Sequence, residues 1–165
     1  MKRILNYMYK IVDIIMISTL IVMVSSIFVN VIARYFGMAF TWIDEISRLT
    51  FVWMSFMAIV AGLQKGLHPS FTVLLERTNG IWTKILLSII NILILVFLVY
   101  LLKGGINYIS RAYIQKTAIL GISVAWKYAA VPFATVMMII EVIKELILVW
   151  KKDVIEIERK TEEVV

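Results

Sequence analysis

Cysteine is absent from this chain, histidine occurs once, proline twice, and charged side chains make up only 17% of the residues. Without cysteine there are no disulfides, no thiolate metal sites and no thiol nucleophile. The one histidine, His68, cannot supply the paired axial ligation of a membrane b-type haem, although other haem ligands exist. Walker, HExxH and GxSxG sequences are missing, as is any paired-carboxylate site, so no specific enzyme chemistry and no cofactor is implied.

What the chain has instead is apolar length. Hydrophobic residues make up 62% of 165, and the mean hydropathy is +0.94. Four apolar stretches cover residues 14–33, 49–63, 85–102 and 126–143, with short charged connectors between them. A bilayer's hydrocarbon core, roughly 30 Å thick, needs about 20 helical residues. The expected fold is therefore an all-α integral membrane protein with four transmembrane helices and short amphipathic interfacial helices. Residues 1–150 form one transmembrane domain and 151–165 a charged cytoplasmic tail that frays from Asp153 onward.

The formal net charge of +6 does not point to nucleic acid, because the basic residues sit on connectors and ends beside the membrane. The N-terminal arm, second connector and C-terminal end carry eleven lysines and arginines, against six on the first and third connectors. Cytoplasmic loops carry the excess, which predicts that both termini are cytoplasmic. The first apolar run is longer than a signal-peptide core and lacks a small-residue cleavage pattern, so it reads as a retained span.

Local signals divide the chain further. Thr41 reads as an N-cap with Asp44 three residues on, opening an amphipathic start to the second span that carries Trp42, Glu45 and Arg48. The second connector reads as a turn around His68-Pro69, then a short interfacial helix over 71–77 stopped by Asn79-Gly80. Gly104-Gly105 reads as a helix break, with a separate surface-lying helix over 106–116. Ser123 is a candidate cap for the fourth span, and Pro132 predicts a kink inside it.

Polar residues inside the spans are few. Ser26, Ser55, Asn91 and Thr135 fall near the middles of the four spans and would meet at similar depth in an antiparallel bundle. They read as an interhelical polar layer or as a substrate or ion site; no ionisable residue accompanies them. Ser26, Asn30 and Arg34 share one face at four-residue spacing, and Arg34 would emerge beside Glu45 and Arg48, which can pair with each other. These charges read as an exposed ion pair or as an organised interface with a second membrane protein. Glu141, near Lys144 and Glu145, reads as a carboxylate with local pairing and no deep partner. Ala125/Ala129 and Ala130/Ala134 offer small-residue packing surfaces.

The run Asn30-Val31-Ile32-Ala33-Arg34-Tyr35-Phe36-Gly37, then Trp42-Ile43-Asp44-Glu45-Ile46-Ser47-Arg48 and Trp53, then His68, resembles the small membrane subunit of TRAP (tripartite ATP-independent periplasmic) transporters, the DctQ-like component. The stretch from Thr117 to Pro132 resembles that family's entry into its fourth helix. The resemblance implies a non-enzymatic partner, in a bacterial inner membrane, of a large DctM-like permease subunit that holds the substrate and sodium sites. It also implies a periplasmic DctP-like solute-binding protein that captures an organic acid of the C4-dicarboxylate, keto acid or sialic acid class. On this resemblance Asn30, Arg34, Trp42, Glu45, Arg48, Trp53 and His68 are structural and interface positions, with membrane lipids around them and no substrate ligand among them. The chain departs from the family pattern after His68, where Pro-Ser-Phe-Thr-Val follows and the first acid is Glu76. The alternative is a self-sufficient homo-oligomeric channel or small exporter, which needs a polar lining repeated by symmetry.

Overall fold

The computed structural model describes residues 2–38, 40–65 and 81–151, with side chains from Leu5 onward. His68, the interfacial helix expected at 71–77 and the tail beyond 151 lie outside the described residues. The described chain is helical: α1 (Lys2–Tyr35), α2 (Thr41–Gln64), α3 (Ile81–Ala112), the short α4 (Ala125–Tyr128) and α5 (Ala130–Lys151). Among the described residues the sole β feature is an isolated antiparallel bridge between Lys116 and Ser123. Three helical segments, Leu5–Tyr35, Thr41–Gln64 and Ile81–Ala112, have the length and apolarity to cross a membrane. The fourth segment has 22 residues in α5 but carries Glu141, Lys144 and Glu145.

Backbone accounting explains the ends. At the end of α1, Met38 N–H donates to Ala33 O at 2.9 Å and Gly37 N–H to Arg34 O at 3.0 Å, with Gly37 at φ 76°. This is a Schellman closure; glycine adopts positive φ without the Cβ penalty, and two terminal carbonyls are satisfied. At the start of α2 the N-cap is Phe40 and no side chain caps it, so Thr41 is the first helical residue rather than the cap. Asp44 in that first turn complements the helix dipole, and its carboxylate is engaged elsewhere.

Gly104-Gly105 does not break the third helix; α3 runs unbroken through both to Ala112. In an apolar setting unmade backbone hydrogen bonds cost far more than the roughly 1 kcal/mol glycine loses in helix propensity. Gly105 has a packing role instead: a Cβ there would stand 3.3 Å from Val131 Cγ1 and 3.4 Å from Pro132 Cδ. The proline acts one turn earlier than its own position. It has no N–H for the Tyr128 carbonyl, and the helix is interrupted at Ala129, which keeps helical angles (φ −60°, ψ −23°). Ser123 Oγ accepts the Ala125 N–H at 3.3 Å, but the N-cap of α4 is Val124 and no side chain caps it, so the cap expected at Ser123 is not formed.

α1 packs on α2, α2 on α5, and α5 on α3. Four of these helices contribute to one core: Val12 from α1, Met57, Val60, Ala61 and Leu63 from α2, Leu98 from α3, and Ala134, Met138 and Val142 from α5. Much of α1 and α3 is left outside it, with Ile14, Ile17, Ile21 and Phe28 exposed on the one and Ile89, Leu93 and Phe97 on the other. Exposed apolar surface of that extent is stable against lipid or another protein and costly against water.

Candidate partner interface at the α1–α2 rim

The α1–α2 rim gathers the charged residues. Asn30, 7% exposed, donates from Nδ2 to Asp44 Oδ1 at 2.7 Å, and Arg34 reaches Asp44 Oδ2 at 3.5 Å. The four-residue stripe on α1 thus faces the first turn of α2, with Asp44 as its anchor. Arg48 donates from Nε to the Asp44 carbonyl at 3.2 Å. These residues, with Ile27, Val31 and Ser47, line an open groove of about 350 Å³.

Glu45 and Arg48 form no ion pair. The Glu45 carboxylate points the other way and accepts two backbone N–H groups, Ile119 at 2.9 Å and Leu120 at 3.0 Å. Those amides sit at the tip of a small hairpin, closed by Thr117 N–H to Ile122 O at 2.8 Å and Val124 N–H to Gln115 O at 2.9 Å, with Gly121 at φ 65°. Two fixed amides suit a carboxylate better than one exposed guanidinium, whose pairing is worth at most about 1 kcal/mol. Trp53 donates from Nε1 to the Trp126 carbonyl at 3.0 Å and packs its ring on Phe133 at 5.9 Å. Trp42 is exposed and touches Phe40, with ring centroids 6.2 Å apart.

The four mid-span residues are not joined to one another by any side-chain hydrogen bond. Asn91 Nδ2 donates to Leu87 O at 3.0 Å and Thr135 Oγ1 to Val131 O at 2.7 Å, each within its own helix. Both are buried, while Ser26 and Ser55 are half-buried. Asn91 Oδ1 and Asn30 Oδ1 are buried without a partner among the described residues.

At the opposite end Glu141, 3% exposed, is not partnerless. Tyr9 on α1 donates its hydroxyl to Glu141 Oε2 at 2.9 Å, and Lys144 donates to both Tyr9 Oη, at 2.6 Å, and Glu141 Oε1. Sequence reasoning missed Asp44 and Tyr9 as functional positions. Asp44 had a signal: it is the one acid in the first turn of α2, opposite the Asn30/Arg34 stripe. Tyr9 had none, because its partner lies 132 residues away.

Such an arrangement defines a multi-pass helical membrane protein whose polar groups join its own helices. Residues 23–152 match the family described as tripartite ATP-independent periplasmic transporters, DctQ component, and the chain belongs to that family. Two Haemophilus influenzae proteins described as TRAP transporter small permease proteins are similar to it. One is 28% identical over 137 residues, covering 81% of this chain and 82% of the relative. The other is 29% identical over 106 residues, covering 64% and 66%. The chain is thus a small permease component of a TRAP transporter.

Proposed function

We propose that this chain is the non-catalytic scaffold of its transporter, binding and stabilising the large permease subunit during ion-coupled uptake of an organic acid. The coupling ion on this reading is sodium, and the substrate belongs to the C4-dicarboxylate, keto acid or sialic acid class. A periplasmic solute-binding protein delivers it. The protein sits in the bacterial inner membrane with both termini cytoplasmic, and α4–α5 is the fourth span.

The observation that carries this reading is how the polar side chains are used. Asn30 and Arg34 are held by Asp44, Glu45 by a backbone hairpin, and Glu141 by Tyr9 and Lys144. Groups bound to their own chain are suited to holding shape and poorly suited to handling a solute. Internal pairing of Glu141 and Lys144 also supports α5 as a span, since paired charges are what a bilayer tolerates. The rim residues Asn30, Arg34, Trp42, Glu45, Arg48 and Trp53 are then structural and partner-facing. His68 joins them on the family resemblance alone.

Co-expression with the neighbouring permease and binding-protein genes, followed by purification through a tag on this chain, tests the reading. Recovery of the permease, with uptake lost when this chain is omitted, is the expected result. Solute flux through liposomes holding this chain alone would instead favour a self-sufficient channel.

A further inference from the structure

Resting on that reading, we propose that one polar face of α3, marked by Tyr100, Lys103 and Asn107, docks against a transmembrane helix of the large permease that offers a carboxylate to Lys103. Depth is the starting point. The Tyr108 and Tyr128 rings meet at 4.6 Å, Gly105 faces Val131 and Pro132, and Trp150 Nε1 donates to Ser88 Oγ at 3.0 Å. These contacts set α3 and α5 antiparallel, one residue forward on α3 for one back on α5, and put Lys103 level with Phe133 and Ala134. Phe133 in turn lies against Trp53, well inward of Arg48 on α2 and of Lys127 on α4. At about 1.5 Å per helical residue, Lys103 is roughly 8–10 Å inside the plane those two charges mark.

At the other end, Lys65 closes the uncharged run 49–64 of α2, and Glu141, Lys144 and Tyr9 mark a similar level on α5 and α1. Three helices therefore agree on where the apolar slab lies, and Lys103 of the remaining one falls inside it. The residue is exposed, and no described residue pairs with it. Glu141 and Lys144 at the far end satisfy one another, whereas Lys103 has no such counterpart among the described residues.

The neighbours on that face point the same way. Tyr100, Lys103, Asn107 and Arg111 fall at spacings of three and four along α3 and are all exposed, Tyr100 by 73%. The Asn107 side chain makes no bond to any described residue, and its level on α5 is that of Ala129 and Ala130. A stripe holding a cation, an amide and a phenol is expensive to present to lipid tails. It fits a protein surface, and an unpaired cation at that depth selects an acid as its counterpart. The exposed residues of α1 at comparable depth, such as Ile14, Ile17 and Ile21, carry no such stripe and suit lipid.

The test uses the co-expressed complex. A photo-crosslinking amino acid is placed at position 103 and, separately, at 107, and Lys103→Glu, Lys103→Met and Lys103→Arg are made in parallel. Both positions are expected to cross-link to the permease. Lys103→Glu should lower the recovered permease by about tenfold or more, with Lys103→Arg near wild type and Lys103→Met between. Reversing the permease acid nearest the cross-link to lysine should restore assembly with Lys103→Glu. Cross-links from 103 to lipid alone, with the permease still recovered, would show a snorkelling lysine and overturn the inference while leaving the proposed function standing. Failure of the unmodified chain to recover any permease would overturn both.

Discussion

The carboxylate of Glu45, in the second turn of α2, accepts the amide of Leu120 across 75 residues of sequence and thereby fixes a hairpin in the α3–α4 connector. Its second oxygen takes the neighbouring Ile119 amide, so one side chain satisfies both amides at the tip of the loop. Replacing Glu45 with alanine should release that tip without unfolding the helices. Amide hydrogen exchange across 116–123 should rise severalfold, with Glu45→Gln intermediate because it keeps one acceptor. Unchanged protection at Ile119 and Leu120 would mean that the hairpin holds itself.

Asp44 and Arg34 share an ion pair, yet they should respond unequally to truncation. Both are solvent-accessible, so Arg34→Ala should cost at most about 1 kcal/mol. Asp44→Ala strands the buried Asn30 amide as well and should cost about 1–3 kcal/mol. Unfolding of both variants in one detergent compares them; equal losses would remove Asn30 from the account.

Two adjacent glycines should behave oppositely. Gly105→Leu pushes a side chain into Val131 and Pro132, and overpacking of that kind costs about 1–3 kcal/mol. Gly104→Ala meets nothing within 4 Å and should stabilise α3 by up to about 1 kcal/mol through helix propensity alone. Thermal unfolding in detergent gives both signs.

Glu141→Ala leaves Lys144 without its carboxylate and Tyr9 without its acceptor, and should destabilise by about 3 kcal/mol. Removing both charges as Glu141→Leu with Lys144→Leu should recover most of that loss, since the penalty belongs to the stranded charge. A double variant as unstable as the single one would show that the pair itself supplies net stability.

Asn91→Leu should be neutral or stabilising, by about 1 kcal/mol. The side chain bonds only to its own helix and leaves Oδ1 buried without a partner, so an apolar residue of similar size removes a deficit. A clear loss of stability would reveal an interhelical bond or a bound water at that site.

Much of this architecture was legible in the residues. The positions of the apolar runs, the start of α2 at Thr41 and the convergence of Asn30 and Arg34 on the α2 rim all follow from periodicity and spacing. Two local readings fail for a shared reason. Gly104-Gly105 looks like a break because glycine is a poor helix former in water, and here the backbone bonds and the fit to Pro132 outweigh that preference. Glu45 and Arg48 look like a pair because they are three apart, but a remote hairpin offers the carboxylate two amides. The local pairing of Glu141 with Lys144 holds, and its second partner, Tyr9, was hidden by distance in sequence.

From the sequence alone come the membrane environment, the helical class and the boundaries of the long apolar segments. Those properties depend on composition and on hydrogen bonds between near neighbours. The tertiary structure alone decided which polar groups hold one another and that Lys103 is left exposed without a partner among the described residues. Such choices are made between side chains on different helices, and their outcome depends on register and packing that no single helix encodes.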